Sequence, residues 1–124
     1  MVGSDRQHTP LVAQVFEVDV QRRGGVAVVR PHGELDIATA ETLWSALDGV
    51  EPAGRLVLDL RGLSFIDSSG RHMLVALHSR AQREGFQLSL VAPAPPADKA
   101  IRLSGLDRAL PFGAAVELVD GDPK

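Results

Sequence analysis

The chain has no cysteine and no tyrosine, only one tryptophan, and aromatic residues make up 4% of it. Without cysteine there are no disulfide frameworks, no thiolate metal sites and no cysteine nucleophile, a composition that suits an intracellular protein. So few aromatics leave no base-stacking platform and no aromatic-lined sugar groove. Positive charge is also short: 13 Lys and Arg stand against 16 Asp and Glu, for a net charge of −3, and the basic residues are scattered rather than gathered into a stripe. Nothing electrostatic draws such a surface to a phosphate backbone, so direct nucleic-acid binding is not expected. Long apolar runs are missing as well. No stretch approaches the roughly 18 residues of a membrane span, and residues 1–10 are polar, without the apolar centre of a signal peptide. The expectation is a cytoplasmic chain with no membrane insertion.

What is present fits one ordinary domain. The chain has 124 residues, 44% hydrophobic and 23% charged, enough to bury a core of its own. Val12, Gln14, Phe16, Val18 and Val20 mostly alternate with less apolar neighbours and predict a strand over 12–21, ended by Gly24-Gly25. The β-branched run from Val26 to His32 predicts a buried second strand that stops at Gly33. From Ile37 the period becomes helical, with Ala40, Leu43, Leu47 and Val50 on one stripe, Trp44 widening it, and Gly49, Pro52 and Gly54 marking its end.

Residues 55–60 read as a central strand and 61–66 as a short connection. A second helix is expected from Ser68 or Ser69 to Glu84, with Met73, Leu74, Leu77 and Ala81 inward and Gly85 closing it. Residues 86–91 predict another strand, and Pro93, Pro95 and Pro96 a rigid loop before a third helix over 97–103. Gly105 suits a helix end, 106–112 a turn, and 114–119 a short strand or helical turn. The order implies an α/β domain over residues 12–119, with flexible tails at 1–11 and 120–124. Its mixed sheet has four to five strands, an antiparallel N-terminal edge and packed helices.

In such sheets, sites form beyond the carboxyl ends of the strands, where two polar clusters fall: Gly33-Glu34-Leu35-Asp36 and Asp67-Ser68-Ser69-Gly70. A serine opening a helix faces unpaired backbone N–H groups and the positive end of the helix dipole, which favour a phosphate placed there. The same geometry serves plain N-capping, and a lone serine before a helix is ordinarily that. Asp36 and Thr39 are candidates either for capping the first helix or for an interface, Asp67 either for a cap or for orienting the Ser68 hydroxyl or a nucleotide's metal, and Glu34 for a solvent-facing position.

The block from Leu56 to Gly70, ending Phe65-Ile66-Asp67-Ser68-Ser69-Gly70, resembles the signature of the STAS-domain anti-sigma factor antagonists. Gly33-Glu34-Leu35-Asp36-Ile37-Ala38-Thr39-Ala40 is similar to the segment before that family's first helix, and Leu103-Ser104-Gly105-Leu106-Asp107 to the end of its third. Together the blocks span roughly residues 14–112. The resemblance implies a non-catalytic switch protein that binds an anti-sigma factor, itself a serine kinase, and thereby frees a sigma factor. It implies phosphorylation at Ser68, with Ser69 the alternative, and a serine phosphatase that restores binding. It places Glu34, Asp36, Thr39, Asp67, Ser69, Gly70, Arg71 and His72 at the partner surface, with no cofactor. Arg71-His72 departs from the family, which continues with an aliphatic residue after Ser-Ser-Gly.

Two other readings stand beside it. Some STAS domains are regulatory subunits of membrane transporters, and fold alone does not separate the two roles. A small serine hydrolase would need Ser68 or Ser69 as nucleophile and a histidine base. Ile66, not glycine, stands two residues before Ser68, so the Gly-x-Ser-x-Gly elbow is absent. His8, His32, His72 and His78 share no metal-ligand spacing.

Overall fold

In the computed structural model, which describes residues 15–50 and 54–113, strand β1 (Glu17–Arg23) turns through Gly24-Gly25 into β2 (Val26–Leu35). The two pair antiparallel from Glu17 opposite His32 to Arg23 opposite Val26. β2 then pairs in parallel with β3 (Arg55–Asp59), and β3 with β5 (Gln87–Val91), giving the sheet order β1-β2-β3-β5. β1 is the expected antiparallel edge, begun later than the alternation suggested. The expected residues 12–14 of that strand, Pro52, the segment 114–119 and both tails lie outside the described residues.

Two expectations about the sheet are corrected. β2 does not stop at Gly33 but runs to Leu35. Gly33 has φ +117°, a conformation that side chains rarely adopt, and the pairing register shifts between Gly33 and Glu34. A lone glycine in a strand marked a bulge rather than an end. Residues 61–66 are not a plain connection either. After a tight helical turn at Leu60–Gly62, β4 (Leu63–Ile66) runs parallel to the end of β2, with Glu34 opposite Phe65 and Leu35 opposite Ile66. Four residues between two turn signals are too few to show a period.

Alternation in the strands sorts the core. Ala27, Val29, Leu56, Leu58, Leu88 and Leu90 pack with α1 (Ala40–Asp48), α2 (Ser68–Glu84) and α3 (Ala97–Leu103) in one cluster, while Val28, Val57 and Val91 form a smaller one. On α2, Gly70, Met73, Leu74, Leu77 and Ala81 recur at helical spacing and are buried. Arg80 bonds Asp48 at 3.0 Å and lies 5.6 Å from the centre of the Trp44 ring, joining α2 to α1. Residues 106–109, expected as turn, form a one-turn helix, α4 (Leu106–Ala109).

The turn out of β3 is fixed by a buried charge. Asp59, 1% exposed, accepts hydrogen bonds from Arg30 Nε at 3.0 Å, Arg61 Nε at 3.0 Å, Arg61 Nη2 at 3.1 Å and Arg61 N at 3.1 Å. Burial alone pushes its carboxyl up, but the bonds from the Arg61 side chain and backbone and from Arg30 outweigh it and hold Asp59 below the usual carboxylate range.

Candidate functional site

Pairing of β2 with β4 brings the two polar clusters together. Asp67 N donates to Leu35 O at 3.1 Å, so the residues that follow β4 lie against those that follow β2. Asp67 is extended (φ −101°, ψ −170°), and its carboxylate accepts from Gly70 N at 3.0 Å. This makes Asp67, not either serine, the N-cap of α2. Ser68 and Ser69 are the first two helical residues, and among the described residues neither hydroxyl makes a hydrogen bond. Ser68 is exposed and Ser69 half-buried. No hydrogen bond joins either serine to His72, so a nucleophile–base pair is not assembled.

Gly70 lets the start of this helix come close to the sheet. A Cβ there would stand 2.9 Å from both Ile66 Cγ2 and Leu35 Cγ, and 3.0 Å from Leu35 O. Across the junction, Asp36 Oδ1 accepts from Ala38 N at 2.9 Å and Thr39 N at 3.1 Å. Thr39 Oγ1 donates to Glu34 O at 2.6 Å and accepts from Asp36 N at 3.0 Å. These bonds close a rigid turn that leads into α1 and carries Ile37 at its tip, 79% exposed. Glu34 stays exposed at the end of β2.

Two concave surfaces flank the start of α2. One, of about 250 Å³, is lined by Ser68, Arg71, His72 and Val75 of α2 and by Ser104 and Leu106. The other, about 350 Å³ and mostly apolar, lies between β4 and α3 and includes Phe65, Lys99 and Leu103. Phe65 is 46% exposed and Leu103 76%. Arg71 is half-buried and makes no side-chain hydrogen bond or ion pair among the described residues. The arrangement offers an accessible hydroxyl between an acidic turn, an apolar groove and an uncommitted guanidinium.

Residues 17–118 match the family model described as STAS domain. The chain belongs to the STAS domain family. Membership places it among regulatory binding domains rather than enzymes. One relative is the anti-sigma F factor antagonist of Paenibacillus polymyxa, 26% identical over 100 residues, which span 78% of this chain and 86% of that protein. Among solved structures, an anti-sigma factor antagonist from Mycobacterium paratuberculosis is 30% identical with a TM-score of 0.73, over 84% of this chain and 90% of that one. The Bacillus cell fate determinant SpoIIAA in its phosphorylated form shares the STAS fold at 23% identity and a TM-score of 0.58, covering 86% and 97% of the two chains.

Ser104, Leu106, Phe65, Val75 and Leu103 were not among the residues that the sequence placed at the partner surface. Apolar residues at helical or strand spacing read as core, and no signal within one element tells an exposed Leu103 from a buried Ile101. No described helix is long and apolar enough to cross a membrane.

Proposed function

We propose that this STAS domain is an anti-sigma factor antagonist whose unphosphorylated form binds an anti-sigma factor with serine-kinase activity, releasing a sigma factor in the cytoplasm. Phosphorylation of Ser68 ends that binding, and a serine phosphatase restores it. The observation that carries the reading is the Ser68 hydroxyl: exposed, free of hydrogen bonds among the described residues, and set at the first position of a 17-residue helix. Ser69, half-buried, is the less accessible alternative. The relatives named as anti-sigma factor antagonists, and the Bacillus homologue known in a phosphorylated form, support the same role.

In the transfer, Ser68 Oγ forms a bond to the γ-phosphorus of ATP as the bond from that phosphorus to the ADP oxygen breaks. ADP leaves with the electron pair, and the hydroxyl proton passes to a base of the kinase. Glu34, Asp36, Thr39, Asp67, Ser69, Arg71 and His72 form the contact surface with Ser68, and Gly70, expected there too, is buried and acts beneath it by seating the start of α2, within a domain spanning residues 12–119. The acidic turn and Asp67 put negative charge beside the site already. About 1.5 to 2 further negative charges from the phosphate oppose any partner shaped to that surface.

The test is intact-mass measurement after incubation with the anti-sigma kinase and ATP. One phosphoryl group is expected on the wild type and none on Ser68→Ala. Uptake by Ser68→Ala at full stoichiometry moves the site to another residue; no uptake by the wild type overturns the mechanism.

A further inference from the structure

We propose that the cavity between α2 and the α3–α4 junction is a receiver for the phosphoryl group of phosphorylated Ser68, with Arg71 and His72 as its ligands. The proposal rests on the assignment of Ser68 as the phosphorylated residue. Three facts point to it. Ser68, Arg71 and His72 stand at i, i+3 and i+4 of α2, on one side of the helix, and all three line the same cavity. Arg71 is held half-buried with no acceptor among the described residues, although a guanidinium is the side chain best matched to phosphate. The volume of about 250 Å³ has room for several waters at about 30 Å³ each, and so for one phosphoryl group.

The remaining wall strengthens the pairing without competing for it. Val75 and Leu106 are apolar and offer the phosphate no competing hydrogen-bond partner or charge. Ser104 Oγ already donates to Ile101 O at 3.0 Å, so it shapes the cavity rather than supplying a ligand. Arg71 and His72 are the titratable groups among the lining residues. Asp67, whose carboxylate is engaged with Gly70 N, precedes Ser68, and Asp107 of α4 follows Leu106; Arg102 of α3 and Arg108 of α4 lie two residues from Ser104 and Leu106 and add positive charge on that side. Phosphorylation then does more than add charge: it withdraws Arg71 and His72 from the face that meets the partner.

The experiment uses the full chain with phosphoserine installed at position 68 during translation, so that it needs no kinase. Phosphorus NMR follows the second phosphate ionisation, ordinarily near about pH 6. In the wild type that ionisation falls by about one pH unit, as expected for an anion beside an opposite charge. Arg71→Gln returns most of the shift, Arg71→Lys keeps part of it, and His72→Gln, at an exposed position where folding is not at stake, returns a smaller share. If neither glutamine variant moves the titration, or the wild type titrates like free phosphoserine, the receiver does not exist. That failure leaves the Ser68 switch intact, whereas absent phosphate uptake from the kinase would defeat the switch and leave the titration unaffected.

Discussion

Asp67 caps the helix on which Ser68 stands, its carboxylate accepting from Gly70 N at 3.0 Å. The serine is thereby spared the capping role that would have tied up its hydroxyl. Asp67→Ala removes the only side-chain bond to the first turn of α2 among the described residues and is expected to cost about 1 kcal/mol, a fall in Tm of roughly 5 °C for a domain of this size. Asp67→Asn keeps an equivalent acceptor and should stay within a few tenths of a kcal/mol of the wild type. Thermal unfolding of both variants at neutral pH measures the difference, and equal losses would show that the cap is not what holds this turn.

Gly70 meets Leu35 and Ile66 so closely that even one methyl group does not fit. In Gly70→Ala the helix propensity gained is about 1 kcal/mol, while overpacking against a buried strand end costs about 1 to 3 kcal/mol. Two of the three near atoms belong to fully packed side chains and the third to backbone, so the second effect wins. Net destabilisation of about 1 kcal/mol is expected, with weaker partner binding because the start of α2 is displaced. A chemical-denaturation midpoint equal to or above that of the wild type would count against it.

These contacts mark where the sequence was informative and where it was not. The spacing of Met73, Leu74, Leu77 and Ala81 announces α2 and its buried face, because seventeen residues give the helical period time to repeat. The third helix, over 97–103, was equally legible from the prolines before it. β4 was not: its existence depends on pairing with Glu34 and Leu35, 31 residues before Phe65 and Ile66, and on a bulge at Gly33 that looked like a stop. Asp67 was one of the capping candidates in the sequence, but its backbone bond from N to Leu35 O across that junction was not visible there. The pairing of Arg30 and Arg61 on Asp59 is long-range as well, and no local pattern announces it.

Asp59 gives the fold a defined acid sensitivity. Its carboxyl is held below 3.8 in the folded chain, so the unfolded state binds the proton more readily. The stability it contributes is fully present above about 3.8 and is lost as pH falls through the lower folded value. Asp59→Asn removes the negative charge and turns one of the two acceptor oxygens into a donor, which leaves two guanidiniums poorly matched, but solvent still reaches side chains that are 24% and 37% exposed. The expected cost at neutral pH is therefore about 2 kcal/mol, below the roughly 3 to 5 kcal/mol of a fully buried pair. Denaturation midpoints between about pH 2 and pH 7 should fall less steeply on the acid side for the variant; parallel curves would remove Asp59 from this role.

Partner binding provides the sharpest discrimination between a switch serine and a merely structural one. Ser68 makes no hydrogen bond among the described residues, so Ser68→Ala should bind the anti-sigma kinase within about threefold of the wild type, under about 0.7 kcal/mol. Ser68→Asp places a charge beside Asp67 and the Asp36 turn and should weaken binding by about tenfold, or 1.4 kcal/mol. That loss understates the effect of phosphate, which carries about 1.5 to 2 charges instead of one. Because like charges at an exposed surface are screened, the deficit of Ser68→Asp should shrink as salt rises, whereas a steric clash would persist. Titration calorimetry at two ionic strengths separates the causes: a loss independent of salt assigns the switch to shape, and no loss at either salt removes Ser68 from the interface.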